Sequence, residues 1–438
     1  MYIQSYRLRP PSRLIFVASL IYLMLALLAG LEIWHTLHQA MVIVLYILLA
    51  LTLFRQFALL ILAMRERPPS KGLIDSEPPL VSILLPAYNE AAVIQASLQS
   101  LMELRYPHIE IIVIDDGSQD DTAERARNVA KESSVPVRVI SQANKGKAGA
   151  LNTGFIHASG AYVLVVDADS RVEPDALHYG LRHFSDPRVG AVGGFVGVAN
   201  TQKLLCRFQA LEYLISLNFI RRALSGVGLV TVVPGPVGLF RRESILQVGG
   251  YKEGGMTFAE DADITLRLLA SGWKVTGDRS MVAYTEAPED VYALLRQRYR
   301  WRRGIYQAFA DNLFGLITSQ GYASIAITLF IAMEAFVLEV INFGFTIFFL
   351  THFLSFGEID LLFGWYLLVI SLDLFTLRFV CKGHGNFLGY VLLFVSMRFT
   401  YAFLLQAWNV IALIDEWRAS AMSWDKLERL GRLEAKKT

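Results

Sequence analysis

Hydrophobic and polar positions divide the chain into three stretches with different periods. Residues 14–34, LIFVASLIYLMLALLAGLEIW, and residues 41–64 are continuous apolar runs, each as long as a helix needs to cross a hydrocarbon core. The six residues between them, HTLHQA, hold no Lys or Arg. Arg7, Arg9 and Arg13 precede the pair, and Arg65, Arg67 and Lys71 follow it. Basic residues favour the cytoplasmic side, so residues 1–65 are predicted to form a transmembrane hairpin with both ends in the cytoplasm. The first run lacks a small-residue cleavage site and reads as an anchor, not a removable signal peptide. RPPSKG then marks a linker over 66–79.

From about residue 80 to 310 the pattern becomes that of a soluble α/β domain. VSILL, IEIIVI, VRVI and YVLVV are short, β-branched runs, separated by helix-like segments at 91–104, 120–132 and 147–158. Fully apolar strands alternating with helices predict a mostly parallel sheet covered on both faces. Polar clusters follow several strands directly, where open α/β sheets place their ligands.

Apolar segments return at 322–354, 360–380 and 387–414, so 311–414 is predicted to hold transmembrane or interfacial helices, with a mixed-charge tail over 415–438. SFGEID lacks basic residues while CKGHGN carries Lys382, which suits outside and then inside. Three spans leave the C-terminus outside, yet the tail is rich in Lys and Arg; a segment that is interfacial or re-entrant is one way to reconcile the two. Glu334, Glu339, Asp373, Arg378 and Arg398 fall inside these runs. Intramembrane charges face a partner or a watery cavity, and Asp373 and Arg398, the deepest, suggest a polar path through the bundle.

Composition supports a membrane protein: 54% of residues are hydrophobic, 18% are charged, and mean hydropathy is +0.41. The net charge of +2 excludes a globally basic nucleic-acid binder. Cys206 and Cys381 stand too far apart in sequence for a disulfide framework or zinc spacing to be read from them.

No GxxxxGK[ST] occurs and no GxGxxG follows the first strand, which disfavours P-loop and Rossmann phosphate binding. Acidic residues occupy the strand ends instead. VIDDGSQDDT carries Asp115 and Asp116, adjacent carboxylates that repel unless a donor-rich ligand or a cation joins them. Ser118 and Asp121 have capping-box spacing, so Asp121 is assigned a helix cap. VLVVDADS supplies Asp167 and Asp169, which point the same way in an extended strand and suit Mg²⁺ or Mn²⁺ shared with phosphates. ANKGKAGALN places Lys145 and Lys147 among glycines ahead of a helix, where a lysine suits a diphosphate. FAEDADIT brings Glu260, Asp261 and Asp263, of which one could be a general base and another a helix's first-turn acid. RQRYRWRR, residues 296–303, interleaves five arginines with Tyr299 and Trp301.

Taken in order, PAYNE (86–90), DDGS (115–118), GKAGALN (146–152), DAD (167–169), ED (260–261) and QRYRW (297–301) resemble the motifs of processive family-2 glycosyltransferases. That group includes bacterial cellulose, chitin, hyaluronan and poly-N-acetylglucosamine synthases. The resemblance covers about residues 80–305. It implies a GT-A domain inserted between transmembrane helices, in the plasma (inner) membrane, with the catalytic domain cytoplasmic. It further implies inverting, metal-dependent transfer from a UDP-sugar to a growing polysaccharide, with export coupled to synthesis.

On that resemblance Glu90 and Asp115 or Asp116 contact the nucleoside, Asp167 the nucleotide and Asp169 the metal, Mg²⁺ or Mn²⁺. Asp261 is the base, Lys147 serves the diphosphate, and Glu260, Gln297, Arg300 and Trp301 serve the diphosphate and acceptor end. Arg296, Arg298, Arg302 and Arg303 are assigned to lipid headgroups or solvent, and VPGPVGLFRRE (233–243) to the acceptor loop. Size and layout look most like bacterial poly-β-1,6-N-acetylglucosamine synthases, with UDP-N-acetylglucosamine as donor. Hyaluronan, chitin and β-glucan synthases are the alternatives, and a ceramide-type lipid glycosyltransferase adding one sugar is the rival of another class. Membrane lipids and a small membrane subunit are further partners the resemblance allows; nucleic acid is not.

Overall fold

The computed structural model describes residues 38–69, 78–254, 258–319, 322–338, 340–344, 347, 361–381, 387–420 and 431. The apolar run 14–34, the residues Glu339 and Lys382, and most of the linker and tail lie outside these residues.

Eight strands form one sheet: β1 (Val81–Ala87), β2 (Ile109–Asp115), β3 (Val137–Ser141), β4 (Tyr162–Val165), β5 (Ser170–Val172), β6 (Val189–Val198), β7 (Gly238–Arg241) and β8 (Lys274–Thr285). Their spatial order is β3-β2-β1-β4-β7-β6-β8-β5. The sheet is mixed. β1 to β4 are mutually parallel and β6 runs parallel to β8, whereas β7 opposes β4 and β6, and β5 opposes β8.

The apolar runs lack alternation because both parities are buried. Val81, Ile83 and Leu85 enter one core with Ile111, Val113 and Leu164. Leu84 enters the opposite core with Ile112, Ile114, Val163 and Val165. A Leu84→Ala change there would cost about 2–5 kcal/mol. Helices Ile94–Met102, Thr122–Glu132 and Gly146–His157 supply the connections between the first four strands. Asp121 precedes the second of these but makes no side-chain cap bond; Asp120 Oδ1 instead accepts from the Thr122 amide at 3.1 Å. The predicted capping box fails because Ser118 Oγ turns to the Asn89 amide, 2.9 Å away.

The core containing Leu84 does not end at the sheet. It continues through Phe219, Ala223 and Phe309 to Leu53, Leu60 and Ala63 of helix His38–Arg65 and to Ile327 and Ile331. Among the described residues, Tyr46–Arg65 and Ile325–Gly344 are long and apolar enough to cross a membrane. The run 387–414 breaks at Thr400 into helices Phe387–Phe399 and Tyr401–Trp417, bent by about 40°. Charges in these segments find one another: Arg398 Nη1 lies 2.8 Å from Asp373 Oδ2, and Glu334 pairs with Arg55. Asp373 and Arg398, expected along a polar path, are thus bonded to each other, as buried membrane charges require.

Candidate active site

β4 ends at Val165, and residues 166–169 turn before β5. The extended-strand reasoning for Asp167 and Asp169 therefore does not hold, although the two stay close enough for the Asp169 charge to act on Asp167. Asp169 is buried, with Ser170 Oγ 3.2 Å from its Oδ1. Asp167 meets Lys147, the second residue of helix Gly146–His157, at 2.5 Å. The same ammonium lies 2.8 Å from Glu260 Oε1. Lys147 thus ties the GKAG, DAD and ED segments to one point.

Glu260 and Asp261 open helix Glu260–Ala270, where the positive end of the helix dipole favours carboxylates. Burial works against both, but the outcome differs. Burial would raise Glu260, yet Lys147 outweighs it, with help from Arg300, and holds the carboxyl below its usual value. Asp261 lacks that contact. Burial and the neighbouring Glu260 charge push it up to about 6, opposed by Lys147 and by the Ala262 amide, 2.8 Å from Oδ1. Asp167 is raised by burial and by Asp169 in spite of Lys147. Lys147 itself is held well above the usual lysine value: burial lowers it, but Asp167 and Glu260 prevail. The result is a cluster of carboxylates about one ammonium, in which Asp167 and Asp261 are raised and Glu260 is lowered.

The acceptor-loop segment approaches this cluster through Gly235. A Cβ built there would stand 2.8 Å from both Asp167 Oδ2 and Lys147 Nζ, so a side chain at 235 would push the ends of those two groups aside. Asp263, by contrast, is structural: it accepts from Lys252 at 2.7 Å, Arg267 at 2.8 Å and Asn312 at 3.1 Å.

At the ends of β1 and β2, Ala87 and Asp115 are in register, which brings PAYNE and DDGS together. Asn89, at φ +52°, accepts from the Gln119 amide at 2.7 Å, and Thr122 Oγ1 accepts from the Glu90 amide at 2.7 Å. Asp115 and Asp116 are both buried. The chain's own donors answer part of the repulsion between them. Asp115 Oδ1 accepts from the Ser118 amide at 3.1 Å; Asp116 Oδ1 accepts from Gln142 Nε2 at 2.7 Å and the Lys145 amide at 2.9 Å.

The arginine-rich segment lies within one helix, Val291–Ser319. Gly304 presses against Ala259, 2.5 Å from where its Cβ would be, so the helix seats directly on the start of the Glu260 helix. Arg300 contributes to the field at Glu260. Two arginines assigned to headgroups or solvent are instead buried. Arg298 donates to Gln297 Oε1 at 2.7 Å and Glu212 Oε2 at 2.8 Å, and its guanidinium lies 4.3 Å from the Trp301 ring centroid. Arg303 donates to Glu416 Oε2 at 2.6 Å, the Tyr299 hydroxyl at 3.2 Å and the Ser420 carbonyl at 2.9 Å. Both are buried because a carboxylate from another helix meets them. Arg296 stays beside the Tyr292 ring, at 4.6 Å.

Sequence reasoning missed Glu212, Tyr401, whose hydroxyl donates to Glu212, and Glu416. Only Glu416 left a signal, as a charge closing an apolar run.

Residues 82–249 match the family described as Glycosyl transferase family 2. Poly-β-1,6-N-acetyl-D-glucosamine synthase of Staphylococcus aureus (strain COL) is 32% identical over 243 residues, 55% of this chain and 58% of that protein. The Staphylococcus epidermidis synthase is 32% identical over 241 residues, with the same coverage. The chain therefore spans a little over half the length of these curated relatives. Among solved structures, the mannosyltransferase PcManGT from Pyrobaculum calidifontis, in complex with GDP-Man and Mn²⁺, superposes with a TM-score of 0.58. It is 20% identical, and the match covers 86% of this chain and 99% of that one.

Proposed function

Because this chain carries a family 2 glycosyltransferase domain on the GT-A fold, we propose that it builds a β-linked polysaccharide from a UDP-sugar. The observation that carries the reading is the Lys147 bridge between Asp167 and Glu260, beside an Asp261 raised to about 6. The staphylococcal relatives favour UDP-N-acetylglucosamine as donor and a β-1,6 linkage.

In this reading Asp261 accepts the proton of the acceptor hydroxyl. That oxygen forms a bond to the anomeric carbon from the face opposite UDP, the bond to the diphosphate breaks, and the configuration inverts. Lys147 leaves one of its carboxylates for the diphosphate, and Arg300 adds a second cation for the charge that develops on it. Trp301, braced by Arg298, presents a flat apolar face to a sugar ring. Glu90, Asp115 and Asp116 line the nucleoside end.

The donor set fits a divalent metal. Asp169 and Asp167 are hard oxygen donors in a cluster with excess negative charge. Among the described residues no three His, Cys, Asp or Glu side chains group to hold a metal, so a diphosphate would have to supply the remaining ligands. The Pyrobaculum enzyme of the same fold was solved with Mn²⁺, which supports the same choice here. A Mg²⁺ or Mn²⁺ held there supplies Lewis-acid charge to the leaving diphosphate.

The candidate membrane helices support a reading in which the enzyme is a multi-pass plasma-membrane protein, its domain cytoplasmic and its polymer leaving across the bilayer. The test is to supply purified full-length protein in nanodiscs with UDP-sugars and Mn²⁺. Long carbohydrate cleaved by a β-1,6-N-acetylglucosaminidase is expected. A single sugar on a lipid would refute polymer synthesis, and a resistant polymer would refute the linkage alone.

A further inference from the structure

A cavity of about 300 Å³ opens between β6, β8 and the ends of two apolar helices, and none of the clustered carboxylates lines it. Arg221 lines it and is buried. Its Nη1 donates to the Gly194 carbonyl at 2.7 Å and to Asn218 Oδ1 at 3.0 Å. Its Nε is also buried, with no hydrogen-bond partner among the described residues. Burial lowers this guanidinium to about 10, and the charge of Asp261 offsets that only in part. Arg222 adds a second unmet Nε, 3.6 Å from Glu66 Oε2 and so beyond hydrogen-bond reach. Exposed Arg279 adds a third cation.

Two carboxylates share the lining, and only one is available to these arginines. Asp278 Oδ2 is committed to Arg182 at 2.7 Å and His183 at 2.7 Å, and its Oδ1 accepts from the Ser280 amide at 2.9 Å. Glu66 remains, raised above its usual value by burial. Among the lining residues three guanidiniums therefore face one carboxylate, with Asp261 reaching Arg221 only through its field, and buried donors without partners call for an explanation. An anion with several acceptor oxygens satisfies both conditions, and guanidiniums match phosphate geometry.

Position narrows the source of that phosphate. Glu66 directly follows helix His38–Arg65, and the lining residues Phe379 and Val380 end helix Leu361–Val380. Arg222 lies 4.5 Å from the Phe379 ring centroid, cation beside apolar surface. Ile61, Met64 and Phe375 on the same helices are exposed apolar side chains. We propose that this cavity binds the phosphate of an anionic phospholipid headgroup, whose acyl chains lie along these two helices.

The experiment uses the full-length protein in detergent, titrated calorimetrically with short-chain phosphatidylglycerol, short-chain phosphatidylcholine and inorganic phosphate. Saturable binding of phosphatidylglycerol is expected, at least tenfold tighter than either of the others. Arg222→Gln/Arg279→Gln should weaken it at least tenfold while leaving lipid-free Tm and UDP binding unchanged. That pair leaves the buried Arg221 bonds to Gly194 and Asn218 in place. Arg188→Gln, an exposed change elsewhere, should bind like wild type. Equal affinity for the two lipids, or equal loss in Arg188→Gln, would overturn the site. Inorganic phosphate binding as tightly as phosphatidylglycerol would overturn the lipid assignment.

Discussion

Replacing Asp261 tests catalysis and stability with one substitution. If Asp261 takes the acceptor proton, only its ionised form works, so kcat/KM should fall on the acid side with a midpoint near pH 6. At pH 8 nearly every molecule carries the base; at pH 5 only about a tenth do. Asp261→Asn should lower kcat by about 10²–10⁴-fold and abolish that acid limb. The stability effect has the opposite sign. A carboxyl whose folded value exceeds its unfolded value near 3.9 carries no penalty below both values, an increasing one between them, and the full penalty above about 6. Two units correspond to about 3 kcal/mol at neutral pH, an upper bound for a half-buried group. Asparagine removes the ionisation, so the inactive variant should melt higher than wild type at pH 7.5 and bind UDP normally. Rates measured from pH 5 to 8, with thermal melts of both proteins, decide it. A flat profile, or an Asn variant that turns over normally, would remove Asp261 from the chemistry.

Asp169→Asn should weaken Mn²⁺-dependent UDP binding at least tenfold by calorimetry; full activity in excess chelator would contradict a metal at that residue. Arg303→Leu should destabilise the protein by about 3–5 kcal/mol, because it strands buried Glu416, and Arg303→Leu/Glu416→Leu should recover most of the loss in melting temperature. Gly235→Ala should cost at least tenfold in turnover while Tm moves little, since its Cβ displaces only the ends of the Asp167 and Lys147 side chains; unchanged turnover would separate that loop from the reaction.

The four leading strands were legible because two-sided burial leaves continuous apolar runs, and their helices fell within a few residues of expectation. The other half of the sheet was not. β6, VGAVGGFVGV, is rich in glycine, and β5 and β7 have three and four residues, so long-range pairing rather than local pattern defines them. In the site, the acidic and lysine motifs were visible one by one, but neither the Lys147 bridge nor the turn that separates Asp167 from Asp169 was. The arginines misled for a physical reason. Five guanidiniums in eight residues look solvated until partners arrive, and Glu212 and Glu416 lie 86 and 113 residues from the arginines they meet.

The bonds around Glu212 have a mechanical consequence. Tyr401 begins an apolar helix and holds Glu212; Glu212 holds Arg298; Arg298 lies against the Trp301 ring. A lever of three side chains thus runs from the first residue of that apolar helix to the Trp301 ring. Helices answer a thinner or thicker bilayer by tilting. Tilt at Tyr401 would be felt as displacement at Trp301, so membrane thickness would act as a setting on the rate of sugar transfer, readable by comparing activity in vesicles of short-chain and long-chain lipids.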